Sequence, residues 1–279
     1  MIIIRLRGGP GNQLFQYSFG RLLSVKNNVE VKYKFLVNKN DSIREYFLGY
    51  LNTEVEIASD EELKKVGYPL GVVSRILELA KTKVLRSFNI GYIPRLLKSK
   101  SGYMEGYWQS YKYLEPIRSE LLREVSLKDN TIKKYGIISE IENTNSVYVG
   151  VRRGDYVSNP KFAKEWITFN IEYYEKALRL IKEKVPSPTL FIFSDDIEWC
   201  KINLKTDLPI IFSDANIPVY DNFMIATKCK HNIIANSSFT FWIAWLNQNP
   251  NKIVIAPKKW NNFHQKEYAN LLPPEWIKI

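Results

Sequence analysis

Apolar residues follow two different rhythms along this chain. From Ile2 to Arg7 they form an almost unbroken run that reads as a buried strand. After the turn GGPGN the spacing lengthens, and Phe15, Phe19, Leu22 and Leu23 recur as one face of a helix through NQLFQYSFGRLLSVKN. In VEVKYKF the residues Val29, Val31, Tyr33 and Phe35 alternate with Glu30, Lys32 and Lys34, which predicts a strand with one apolar and one charged face. Ser59 and Glu62 have the spacing of a capping box and place a helix over DEELKKVG. From Ile76 to Lys100, Leu and Ile mix with Lys81, Lys83, Arg86, Arg95, Lys98 and Lys100. That stretch reads either as a basic amphipathic helix lying on a membrane surface or as a solvated helix.

Beyond residue 145 the alternation becomes regular. Strands VYVGV, TLFIFS, PIIF, NIIAN and KIVIAP are separated by helices NIEYYEKALRLIKEKV, DDIEWCKINL, VYDNFMIATKCKH and SFTFWIAWLNQN. Strands and helices in strict turn predict a parallel sheet covered on both faces. A polar, charged stretch between Leu127 and Asn145 separates the two patterned regions, so the expected domains are residues 1–135 and 136–279. A chain of 279 residues accommodates two such domains.

Composition narrows the class. Hydrophobic residues make up 45% and charged residues 25%, as in ordinary globular proteins. No apolar stretch approaches the roughly 20 residues needed to cross a bilayer, and the start MIIIRLRGG reads as a strand and lacks the pattern of a secretory signal. With two cysteines, Cys200 and Cys229, a disulfide framework is not expected, and a reducing cytoplasm fits. His231 and His264 are the only histidines, which argues against a metal site. The net charge of +11 points to an anionic partner: nucleic acid, anionic lipid or a phosphorylated small molecule. The positive residues are scattered and no nucleic-acid motif is present, so nucleic acid is not the expected partner.

Ligands of open parallel sheets bind beyond the carboxyl ends of the strands. Three segments stand directly after predicted strands: RRGDY at Arg152 to Tyr156, SDD at Ser194 to Asp196, and NSSF at Asn236 to Phe239. Arg152 and Arg153 offer planar, permanently charged forks for phosphate oxygens, and Asp155 is placed to hold one of them. NSSF opens a helix, where free backbone N–H groups, the helix dipole and the hydroxyls of Ser237 and Ser238 favour an anion. Asp195 and Asp196 begin another helix and serve as caps, as ligand contacts or, more weakly, as a magnesium pair. GGPGNQ lacks the third glycine of a dinucleotide fingerprint and the lysine of a P-loop; Asn12 there either caps the helix or points into a cleft.

GGPGNQLFQY, EGYWQSYKYL, VRRGDYV, FSDDIEWC, CKHNIIANSSFTFWIAWLN and IAPKKW together resemble, in order and nearly end to end, the bacterial α-1,2-fucosyltransferases of glycosyltransferase family 11. The resemblance implies a GT-B-like α/β fold with two Rossmann-like domains and a cleft between them, the first domain on the acceptor side and the second holding GDP-β-L-fucose. It implies a metal-independent inverting transfer to a galactose-containing acceptor during surface-glycan synthesis, in the cytoplasm or peripherally at the inner membrane. By similarity, Arg152, Arg153 and Asp155 serve the departing diphosphate. Ser194, Asp195, Asn236, Ser237, Ser238 and Phe239 line the nucleotide-sugar site, Asp221 faces guanine, and Asn12 and Gln13 close the cleft. Asp155 and Glu165 are the carboxylates weighed as general base. Gly150 stands where the signature usually has histidine, and Phe241 and Ile243 where tryptophan and glycine are common.

Overall fold

The computed structural model describes residues 1–35, 46–68, 89–129, 131–168 and 170–279. The chain divides into two compact units, Met1–Ser126 with Lys266–Leu272 and Leu127–Gln265 with Pro273–Ile279. The division expected after residue 135 thus stands at Ser126, and residues 266–272 fold with the first unit.

In the first unit, β1 (Ile2–Leu6) is followed by α1 (Pro10–Asn27), β2 (Val31–Phe35), α2 (Asp60–Lys65), β3 (Gly102–Met104) and α3 (Arg118–Glu124). The strands form a parallel sheet in the order β2-β1-β3. β1 is the central strand, and Ile2, Ile3, Ile4 and Leu6, whose side chains alternate between the two faces of the sheet, are all buried, which is why it is apolar almost throughout. Phe15, Phe19, Leu22 and Leu23 of α1 are buried, and Phe19 stacks on Trp108 at 4.4 Å between centroids. The capping box at α2 is present: Glu62 N–H donates to Ser59 Oγ at 3.2 Å, and Ser59 N–H donates to Glu62 Oε2 at 2.8 Å. Ser110 Oγ and Tyr111 N–H donate to the carbonyls of Asn270 and Leu271, which ties the returning segment to this unit. Of the basic stretch from Ile76 to Lys100, residues 76–88 lie outside the described residues, and Pro94–Lys98 form a short 3-10 helix.

A buried charge cluster holds α1 to α3. Glu124, 3% exposed, accepts the Tyr17 hydroxyl at 2.6 Å and Arg21 Nε at 3.0 Å. Burial, and then the Glu124 carboxylate, push the Tyr17 hydroxyl well above its ordinary range.

The second unit contains α4 (Ile137–Asn143), β4 (Asn145–Val151), α5 (Gly154–Ser158), α6 (Pro160–Glu165), α7 (Ile171–Lys184), β5 (Pro188–Ser194), α8 (Ile197–Asn203), β6 (Ile210–Phe212), α9 (Val219–Ala226), β7 (His231–Ile233), α10 (Ser238–Leu246), β8 (Val254–Ala256) and β9 (Ile277–Lys278). All six strands are parallel, in the order β6-β5-β4-β7-β8-β9. Counted from β4 this is the Rossmann order 3-2-1-4-5-6. Successive side chains of a strand point to opposite faces. Val147, Val149 and Val151 pack with Tyr173, Tyr174, Ala177 and Ile181 of α7, while Tyr148 on the other face lies against Phe193 at 5.2 Å between centroids. Thr240 through Leu246 are all buried, which is why α10 is apolar on every side.

His231 opens β7 and accepts the Ile253 N–H on Nδ1 at 3.1 Å. Burial, with neighbouring Lys230, lowers its pKa below the ordinary 6.5. The unfolded chain therefore takes up a proton that the folded chain refuses, so this group withdraws stability as pH falls below about 6.5. Urea midpoints measured at pH 7.5 and pH 5 should show a smaller acid loss for His231→Asn than for the wild type. An equal loss in both would remove His231 from the account. Both cysteines are buried free thiols, burial pushing Cys200 up to about 11.

Candidate functional site

Register brings the two charged motifs together. Val151 of β4 stands opposite Ser194 of β5, so the residues that follow each strand, Arg152–Arg153 and Asp195–Asp196, emerge side by side. Arg152 Nη1 pairs with Asp195 Oδ2 at 2.7 Å. Asp195 Oδ1 also accepts the Arg153 N–H at 2.8 Å. Arg153 Nε donates to Asp196 Oδ2 at 3.3 Å, and the other oxygen of Asp196 caps α8 by accepting the Trp199 N–H at 3.1 Å. Ser194 Oγ accepts the Asp196 N–H at 2.9 Å. Both aspartates thus hold the arginines, and Asp196 also caps a helix.

A glycine eases this approach, and a second stands nearby in β4. A methyl group on Gly154 would lie 2.6 Å from Asp195 Oδ2, inside van der Waals contact, so only glycine admits that carboxylate. At Gly150 a methyl would lie 2.5 Å from the Tyr148 hydroxyl oxygen and 2.8 Å from Thr240 Cγ2. Tyr148 therefore fills the space that a side chain at position 150 would need.

Beyond β4 on its other side runs β7, with Val149 opposite Ile233. The chain proceeds from β4 towards β5 and β6, then crosses back to β7, so the strand order reverses between β4 and β7. That is the switch point at which loops diverge and leave a crevice. Arg152 and Arg153 border it from β4, and the NSSF segment follows β7. Ser237 is the N-cap of α10, its hydroxyl accepting the Phe239 N–H at 3.2 Å. Asn236 is buried and donates to the carbonyls of Ile167 and Trp260, so it braces two loops. Phe239 packs edge-on against Phe223 of α9 at 5.1 Å. Asp221, two residues before Phe223, is buried and accepts the Tyr135 hydroxyl at 2.7 Å, with Lys134 Nζ at 3.9 Å.

Asn12 and Gln13 stand in the first unit. Asn12, in the first turn of α1, accepts Gln109 Nε2 at 2.7 Å. Gln13 is wholly buried; it donates to the Gly8 carbonyl and accepts the Phe47 N–H. Gln16 does similar work, accepting the Arg7 N–H and donating to Gly106 O, which locks the carboxyl ends of β1 and β3 together. Nothing in local sequence separates such buried bracing amides from exposed ones, so the sequence carries no signal for the role of Gln16. Asp155 lies in α5 and Glu165 in α6, and their side chains fall outside the described residues. Among the described residues no group of three or more His, Cys, Asp or Glu is arranged to hold a metal ion. Among them, too, no helix is long and apolar enough to cross a membrane.

Residues 88–279 match the model of the family described as Glycosyl transferase family 11. The chain belongs to glycosyltransferase family 11. This family 11 glycosyltransferase is 33% identical to the Escherichia coli alpha-1,2-colitosyltransferase over 100% of its own length and 99% of that protein. It is 28% identical to the O-antigen biosynthesis glycosyltransferase WbnK of Escherichia coli, covering 98% of this chain and 99% of the relative. Among solved structures it is similar to NodZ alpha-1,6-fucosyltransferase soaked with GDP-fucose, with a TM-score of 0.53 and 12% identity over 88% of this chain and 91% of that one. It is also similar to Arabidopsis thaliana FUT1 in complex with GDP, with a TM-score of 0.50 and 9% identity over 91% and 70%. At such identities the likeness is one of fold, and the fold of this family 11 glycosyltransferase is GT-B-like α/β.

Proposed function

We propose that this family 11 glycosyltransferase moves L-fucose from GDP-β-L-fucose to a sugar hydroxyl, O2 of a galactoside, in the assembly of a bacterial surface glycan. The observation that carries the reading is the pair of guanidinium groups at the end of β4, bordering the switch point of a Rossmann-ordered sheet. The names of the family relatives, colitosyl and fucosyl transferases that make α-1,2 linkages, supply the sugar class and linkage.

In this reaction the bond between C1 of the sugar and the phosphate oxygen breaks, and the acceptor oxygen forms a new bond to C1 from the opposite face. The acceptor proton passes to a base and GDP departs with the electron pair. A β-linked donor yielding an α-linked product is an inversion. Negative charge grows on the diphosphate as the bond breaks, and fixed cations beside it lower the barrier. Arg152 and Arg153 have this role, while the start of α10, with Ser238 and Phe239, receives the nucleotide-sugar. Asp221 accepts hydrogen bonds from guanine. Asn236 and Gln13 act by bracing the loops that shape the site. Arginine supplies the positive charge, so transfer proceeds without a metal ion. The enzyme works in the cytoplasm or peripherally at the inner membrane.

A second reading, colitosyl or another GDP-sugar transfer, is favoured by the relative at 33% identity. GDP release measured in EDTA, with GDP-fucose, GDP-colitose and GDP-mannose against a panel of galactosides, distinguishes the two. The expected result is release with GDP-fucose and a terminal galactoside, with an α-1,2 linkage in the product. Turnover confined to another donor would replace the first reading by the second.

A further inference from the structure

Trp199 lies in the first turn of α8, three residues after Asp196. Its indole ring stands under the Arg153 guanidinium, with Cζ 4.1 Å from the ring centroid. The geometry at Arg153 is fixed from three directions. Asp195 Oδ1 accepts its backbone N–H, Asp196 Oδ2 accepts Nε, and the indole covers one face of the guanidinium plane. Among the described residues, Nη1 and Nη2 have no hydrogen-bond acceptor. These are the two groups that match a phosphate bidentately. The side chain is 17% exposed, against 37% for Arg152, so it is the more tightly packed of the pair.

We propose that Trp199 and Asp196 are positioning residues for Arg153: the indole face and the carboxylate hold its guanidinium in one plane, with the two terminal nitrogens turned towards the diphosphate of the donor. The inference rests on the arginine reading given above. Asp196 serves twice, because the oxygen not bonded to Arg153 accepts the N–H of Trp199 itself. Helix start, ring and guanidinium are thereby one unit. Tyr174 supports the indole from the core side, edge-on at 6.5 Å between centroids. A cation over an aromatic face gains both attraction and a preferred orientation, and tryptophan offers the strongest face.

Replacement of Trp199 by Tyr, Phe and Leu, with donor kcat/KM followed by GDP release, tests this. Activity should fall in the order Trp, Tyr or Phe, Leu, with the Leu variant down roughly five- to thirtyfold. The deciding measurement is the double-mutant cycle of Trp199→Phe with Arg153→Ala. In the Arg153→Ala background the change at Trp199 should have no further effect, whereas a residue that merely supports the fold would lower activity by the same factor in both. The Phe variant keeps the packing, so the cycle remains readable even if Trp199→Leu fails to fold. Equal factors in the two backgrounds, or full activity in a folded Leu variant, would overturn the proposal. Near-normal turnover of Arg153→Ala alone would instead overturn the underlying arginine reading.

Discussion

Arg153→Ala is expected to lower transfer by roughly a hundredfold or more while leaving the protein folded. The expectation follows from where the side chain stands: just beyond the strand that begins the Rossmann order, beside the reversal point, with its guanidinium held by Asp196 and Trp199. Loss of one preorganised partner of developing negative charge typically raises the barrier by about 3 kcal/mol. Asp196 keeps its capping bond to Trp199 in the variant, so α8 retains its start. Arg153→Lys should recover only part of the lost rate, because an ammonium is a point charge without the planar fork. Steady-state GDP release at saturating acceptor, with thermal unfolding as control, checks both. Near-wild-type kcat/KM in the alanine variant would defeat the assignment.

The second large effect concerns stability. Glu124→Ala should destabilise the first unit by about 3–5 kcal/mol, the usual consequence of removing one partner of a buried ion pair. Three groups lose their acceptor at once: the Tyr17 hydroxyl, Arg21 Nε and, more distantly, the exposed Arg123 Nη2. Arg21 is 22% exposed and recovers some hydration, which favours the lower end of the range. Glu124→Gln retains an acceptor for Tyr17 and should lose less. Chemical denaturation followed by fluorescence gives the comparison; an alanine variant within about 1 kcal/mol of wild type would contradict it.

Much of the second unit is legible in the sequence itself. Its strands are short apolar runs followed directly by charged or hydroxylic residues, and that pattern located RRGDY, SDD and NSSF at strand ends. What the pattern did not give was partnership. Arg152 and Arg153 meet Asp195 and Asp196 because β4 and β5 are neighbours in register, and neighbourhood in a sheet is not written in either strand. Asp155, the nearby acid in sequence expected to hold one of the arginines, has its side chain outside the described residues.

Element ends moved for similar reasons. The helix at Val219 stops at Ala226, where the Thr227 hydroxyl turns back to the Met224 carbonyl, so β7 begins at His231. The strand Ile277–Lys278 has only two residues and follows the irregular LLPPEW, too short to leave a periodic trace. Among polar residues, burial decided roles that composition could not. Gln13 and Asn236 are candidate ligand groups in sequence, and in the structure their amides also brace backbone inside the fold. Ser237 and Asp196 are caps, as helix-start chemistry allows.

The passage of residues 266–272 into the first unit has a consequence for synthesis. The carbonyls that receive Ser110 and Tyr111 belong to Asn270 and Leu271, 160 residues later in the chain. The first unit therefore waits on the ribosome without these native partners until residues 266–272 have emerged, after nearly all of the second unit has been made, so it does not complete its folding in order of translation.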